Sequence, residues 1–117
     1  MRVTKHPDER RREIIQAARE LFAANGFMKT TISDIAEKSG MAKGLFYYYF
    51  RTKDDVMAAA VEDYIAQTQA QVLGIVRQTE KDLVSRIEEV INVVIDFSQD
   101  AELVFAELKS SDRYMFH

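Results

Sequence analysis

The sequence predicts an all-α protein, and three observations carry that reading. Apolar residues recur at three- and four-residue spacing along almost the whole chain. Pro7, Gly26 and Gly40 stand where those stretches start or stop. Two capping signatures, Thr31-Ile32-Ser33-Asp34 and Thr52-Lys53-Asp54-Asp55, open two of them. No stretch reads better as a strand.

The first helix is expected over residues 8–25, where Ile14, Ala18, Leu21 and Phe22 form one apolar stripe. Pro7 suits a helix start, and Asp8 and Glu9 set carboxylates against the positive end of the helix dipole. Asn25-Gly26 ends it, because glycine takes a left-handed φ without a Cβ penalty. In the second helix Thr31 caps the amide of Asp34 while the Asp34 carboxylate reaches back. Ile32, Ile35 and Ala36 face inward, and Gly40 stops the helix after two turns. The third, over 43–50, follows the short connection Gly40-Met41-Ala42. A long fourth helix opens at Thr52 and lines one face with Met57, Val61, Tyr64, Ile65, Thr68 and Val72; its pattern resets near Gln78-Thr79. The fifth carries Leu83, Ile87, Val90, Ile91, Val94 and Ile95. Asp100 is expected to cap a sixth through Leu103, Val104 and Leu108.

Composition narrows the function. A chain of 117 residues with 47% apolar and 30% charged side chains has a core, so it is not disordered, and it has room for one domain or two small lobes. Lack of cysteine excludes a disulfide framework, a thiolate metal site and a cysteine nucleophile. The N-terminus has no signal-peptide core, and no apolar run reaches the ~18 residues of a membrane span. A soluble, cytoplasmic protein is expected. The net charge of −3 hides an asymmetry: residues 1–53 carry eleven Lys/Arg against six Asp/Glu, a net of +5, and residues 54–117 carry five against thirteen, a net of −8. One lobe is suited to a polyanion and the other is not. The expected domains are accordingly 1–53 and 54–117.

Two short helices joined by a three-residue turn and braced by a preceding helix form the layout of a helix-turn-helix DNA reader. Such a reader needs a leading turn that approaches the duplex closely and an exposed face of donors rather than carboxylates. Gly44 presents no side chain, Lys43 brings a positive charge to the helix start, and no acidic residue occurs between Lys38 and Asp54. Phe46 and Phe50 share one face and are expected in the core, whereas Tyr47 and Tyr48 point largely away from it. Each phenol is a donor on a rigid arm, fit for phosphate oxygens or a thymine methyl.

With these residues in view, the chain resembles the DNA-binding domain of TetR-family transcriptional regulators. The resemblance runs over about residues 8–68, with the helix-turn-helix at 31–50. It rests on Leu21-Phe22, Gly26-Phe27, Thr30-Thr31-Ile32-Ser33-Asp34-Ile35-Ala36, Ser39 through Phe50, and Lys53-Asp54-Asp55-Val56. It implies phosphate contacts from Thr31, Tyr47 and Lys53, and base-edge or close-approach contacts from Lys43, Gly44, Leu45 and Tyr48. Tyr49 stands at a partly packed position. Ala42 departs from the pattern, where a serine or threonine usually caps the third helix; alanine there costs about 1 kcal/mol.

The resemblance further implies a homodimer on a palindromic double-stranded operator and a small-molecule effector held by the acidic lobe. Recognition helices of such a dimer lie about 34–36 Å apart, one turn of B-DNA, so a small shift of the fourth helix changes binding. The main dimerisation helices of longer family members are absent from this sequence, so a truncated product or a short variant is expected, with incompletely covered stripes on its later helices. Tyr64, Val94, Phe97 and Phe105 are the candidate ligand-binding residues, although packing of the same helices explains them as well. The Arg10-Arg11-Arg12 run is either a flanking phosphate contact or a solvated face. A competing reading is a protein-interaction module that heterodimerises with another regulator without binding DNA. No catalytic motif is present. His6 and His117 have no second ligand at metal spacing, so neither an enzyme, a metal site nor a cofactor is expected.

Overall fold

The computed structural model describes the backbone over residues 6–115 and side chains over 6–109; His117 lies outside the described residues. Five helices follow one another: α1 (Pro7–Asn25), α2 (Ile32–Lys38), α3 (Lys43–Tyr49), α4 (Lys53–Val76) and α5 (Leu83–Met115). Two compact units divide the chain at Val61/Glu62, so the first turns of α4 belong to the first unit.

Helix ends in the first unit follow their local chemistry. His6 caps α1 by accepting the Asp8 N–H on Nδ1 at 3.2 Å, and Pro7 occupies the first turn. Gly26 ends α1 at φ 87°, and Gly40 follows α2 at φ 72°. Thr31 Oγ1 accepts the Asp34 N–H at 3.0 Å while Asp34 Oδ2 accepts the Thr31 N–H at 3.1 Å, a complete capping box. Thr52 Oγ1 accepts the Asp55 N–H at 3.1 Å at the start of α4. Ala42 caps α3 in an extended conformation with no side-chain hydrogen bond, as alanine must.

One core joins α1, α2, α3 and the start of α4. Ile14, Ile35, Phe46 and Val56 are fully buried at its centre, with Ile15, Ala18, Ala36, Phe50, Ala59 and Ala60 around them. Met41 and Tyr49 pack partly against it. Buried Thr30 donates its hydroxyl to Gly26 O at 2.8 Å and Leu21 O at 3.3 Å, tying the α1–α2 turn to α1.

The second unit pairs the remainder of α4 with α5. Arg86 bridges the turn between them, donating to Val76 O at 2.9 Å and Lys81 O at 3.1 Å. Asp82 starts α5 by accepting the Ser85 N–H and hydroxyl at 3.2 and 2.7 Å, which holds its carboxyl below the usual carboxylate range. No described residue of this unit is fully buried. Ile87, Ile91, Val94 and Ile95 form an open stripe along α5, each about half exposed. The expected sixth helix does not exist as a separate element, since α5 runs unbroken from Leu83. Ser98-Gln99-Asp100 contains neither glycine nor proline to stop it. The Asp100 carboxylate accepts the Tyr64 hydroxyl rather than capping a new helix.

Phe46→Ala removes the largest fully buried side chain and is expected to cost about 3–5 kcal/mol, read as a lowered urea midpoint by circular dichroism. Ala42→Ser is expected to raise the same midpoint by about 1 kcal/mol, because it supplies α3 with the missing cap.

Candidate nucleic-acid interface

The interface is assembled from α2, its turn and α3. Gly40 N–H donates to Glu37 O and Met41 N–H to Ala36 O, at 3.1 and 3.0 Å, which closes the α2 end tightly. Ala42 O then accepts from both Leu45 and Phe46 N–H, at 3.0 and 3.1 Å. With Phe46 at 0% exposure and Phe50 at 6%, rotation along the helix carries Tyr47 and Tyr48 outward to 49% and 78%. Their rings rest edge-on against neighbours, Tyr47 against Phe46 at 5.7 Å and Tyr48 against Tyr49 at 5.1 Å. These contacts stiffen the arms while leaving both phenols in solvent.

Lys43 and Gly44 are exposed at the leading turn of α3, with Leu45 half-buried behind them. Glycine inside a helix costs up to about 1 kcal/mol relative to alanine. A Cβ at Gly44 would meet nothing within 4 Å, so packing within the chain does not require the glycine. Thr31 is exposed at the start of α2; its oxygen serves the α2 cap, and its hydroxyl proton has no acceptor among the described residues.

Other cations have been spent or left free in an informative way. Arg11 lies over the Phe50 ring at 5.4 Å and Arg12 Nε donates to Asp8 O at 3.3 Å, so two of the three consecutive arginines serve α1 and its packing. Lys38 pairs with Glu20 at 3.4 Å, and with the Gln16 hydrogen bond, the larger cause, it holds the Glu20 carboxyl below its ordinary pKa. Lys53 Nζ donates to Phe27 O at 2.5 Å and lies 4.3 Å from the Phe27 ring centroid. Lys43 and Arg51 are exposed and have no hydrogen-bond or ion-pair partner among the described residues. Arg51 is not among the expected site residues; its signal in the sequence is a lone cation between the aromatic helix and the Thr52 cap.

The candidate ligand-binding residues fall in the second unit. Val94 and Phe97 of α5 and Ile65, Thr68 and Gln69 of α4 line an open apolar groove of about 210 Å³. Tyr64 stacks on Phe97 at 5.4 Å, so three of the four expected residues are neighbours. Phe105 is not among them: it is 67% exposed, with the Lys109 ammonium 6.0 Å from its ring. Ligand pockets usually enclose about 300–1,000 Å³, so this groove alone is a shallow one. Among the described residues no acidic, histidine or cysteine cluster suits a metal ion, and no helix is long and apolar enough to cross a membrane.

Residues 14–60 match the family described as bacterial regulatory proteins, tetR family. The HTH-type transcriptional regulator YerO of Bacillus subtilis is 35% identical over 79 residues, which is 68% of this chain and 26% of YerO. The HTH-type transcriptional repressor KstR2 of Mycolicibacterium smegmatis is 34% identical over 59 residues, 50% of this chain and 29% of KstR2. Among solved structures, the fatty acid degradation regulator FadR from Bacillus halodurans superposes with a TM-score of 0.67 at 24% identity. That superposition covers 78% of this chain and 47% of FadR. The matched stretches thus span about a quarter to a third of these curated relatives.

Because Tyr48 is mostly in solvent, Tyr48→Ala is expected to shift stability by no more than about 0.5 kcal/mol in thermal unfolding. Gly44→Ala is expected to raise stability by about 0.5–1 kcal/mol through the stiffer unfolded chain and better helix propensity.

Proposed function

We propose that the chain, whose residues 14–60 match the tetR family of bacterial regulatory proteins, is a sequence-specific DNA-binding transcriptional regulator. The observation that carries this is the outward face of α3, where Lys43, Gly44, Tyr47 and Tyr48 are exposed because Phe46 and Phe50 are buried. Lys43 and Tyr48 reach base edges, Lys43 as a donor to guanine acceptors and Tyr48 against a thymine methyl. Gly44 and half-buried Leu45 let the backbone approach the groove. Thr31 and Tyr47 donate hydroxyl protons to phosphate oxygens, and Arg51 adds an unpaired charge at the rim.

The fuller reading is a ligand-responsive repressor that binds a palindromic operator as a homodimer in the cytoplasm. KstR2 is named as a repressor, which supports the sign of regulation. The Tyr64–Phe97 stack and the apolar groove beside it support a small-molecule effector, with Val94 in the lining. A second reading, a protein-interaction module that pairs with another regulator without touching DNA, draws on the open apolar stripe of α5.

Selection from a randomised duplex library at about 50 mM salt, where phosphate contacts are strong, separates the two. An enriched palindrome with half-sites about one helical turn apart is the expected result. Stoichiometric protein binding with no retained duplex would favour the interaction module instead. On the selected duplex, Lys43→Ala with Tyr47→Ala is expected to weaken binding through the lost base-edge and phosphate hydrogen bonds, and Arg51→Ala to flatten the slope of log K against log salt by about 0.9 for the one phosphate that its charge neutralises. Gly44→Ala, although stabilising, is expected to weaken binding by obstructing the close approach; unchanged affinity in that variant would remove the argument made from the glycine.

A further inference from the structure

Helix α5 carries two apolar stripes. One is turned inward: Val90, Val93 and Phe97 are half-buried, and Phe97 stacks on Tyr64 of α4. The other alternates steps of three and four residues from Val84 through Ile87, Ile91 and Val94. The same steps lead on through small Ser98 and Ala101 to Phe105 and Leu108. That alternation is the a/d pattern of a coiled-coil seam, and it is sustained from residue 84 to residue 108. Its large members up to Phe105 are about half to two-thirds exposed, and Leu108 is half-buried. With Leu83 and Ile95 at its borders, the seam offers on the order of 700 Å² of apolar surface. Each partner of a stable interface buries about 800 Å².

Charge selects both the occupant and the register. Antiparallel pairing of two copies sets each a residue of one seam against a d residue of the other. In one register Ser98 faces Ala101 of the second copy, Val94 faces Phe105, and Ile91 faces Leu108. Beside the seam, exposed Glu88 then meets Lys109 of the second copy, twice by symmetry. Ile95 lies along the aliphatic stem of Glu102. A slip of one heptad in either direction loses the Glu88–Lys109 pair and sets Glu88 against Glu102, or Glu102 against its own copy. Parallel pairing would turn the flanking charges toward Leu83, Val90, Phe97 and Val104, where Glu88 and Lys109 find no opposite charge.

We propose that the α5 seam is the surface on which a second copy of this chain docks antiparallel, and that Phe105 of the second copy closes the open side of the α4–α5 groove. Val94 carries the second half of the proposal, because it belongs both to the seam and to the groove lining. Phe105 stands clear of the groove in its own chain, two-thirds exposed, and the pairing returns it to the groove of the other copy. The proposal deepens the homodimer and effector readings above and needs no DNA contact.

The test is sedimentation of the 117-residue chain over a micromolar concentration series, with circular dichroism to show each variant folded. A dimer in equilibrium with monomer is expected. Phe105→Ala is expected to raise its dissociation constant by about tenfold or more, as loss of a buried aromatic anchor does. Lys109→Glu should also weaken the dimer, and adding Glu88→Lys to it should restore the affinity. The chain has no cysteine of its own, so direction can be read by cross-linking. A mixture of Val94→Cys and Phe105→Cys chains is expected to form the mixed disulfide on mild oxidation, with little dimer from either variant alone. Self-linking of each variant alone would mean parallel pairing and overturn the proposal. A wild-type chain that stays monomeric overturns it too. A dimer indifferent to Phe105→Ala and to the charge reversal would keep the homodimer reading but place its surface elsewhere, and the proposal fails. The duplex selection judges the DNA-binding reading separately, whichever result is found.

Discussion

The first unit depends on the burial of Phe46 among Ile14, Ile35 and Val56. Helices of seven residues, as α2 and α3 both are, have too few hydrogen bonds to offset their nucleation cost in water. They persist because each contributes its apolar residues to a core that α1 and the start of α4 close. That core also sets the rotation of α3 about its own axis. Once Phe46 and Phe50 are inside, Tyr47 and Tyr48 have no direction available except outward, so one packing event both forms the helix and aims its aromatic donors.

Polar contacts refine what the core establishes. The α1–α2 turn has several carbonyls facing the protein, and an unpaired buried carbonyl costs about as much as a missing hydrogen bond. Thr30 and Lys53 meet that demand. In the second unit Arg86 meets two carbonyls of the turn and Tyr64 reaches Asp100 between the helices, but the described side chains all keep some exposure. Local stability follows the density of buried apolar contacts, so the two units differ in the resource that makes the first one firm.

Much of this was legible in the residues. The Thr31/Asp34 box, the stops at Gly26 and Gly40, and the division of the third helix into buried phenylalanines and exposed tyrosines all depend on neighbours a few positions apart. Two readings had no such local basis. Asp100 resembles a helix cap, yet its carboxylate is taken by Tyr64, 36 residues away, and α5 passes through it unbroken. Phe105 shares an apolar character with Phe97 but stands apart from the groove, because α5 carries it beyond the part of α4 that lines it. The contact of the Lys53 ammonium with a carbonyl 26 residues earlier is likewise set by the fold and not by its sequence neighbours.

By itself the sequence determined the helical class, the helix ends of the first unit, its charge, and which face of α3 is apolar, since periodicity and capping act within one turn of helix. Tertiary structure alone decided which cations are free and which are consumed. Arg11 packs over Phe50, Lys38 pairs with Glu20 and Lys53 donates to the α1–α2 turn, while Lys43 and Arg51 have no hydrogen-bond or ion-pair partner among the described residues. The reason is physical: a long cationic side chain reaches any acceptor within several ångströms, and only the packed fold determines which acceptors are brought there.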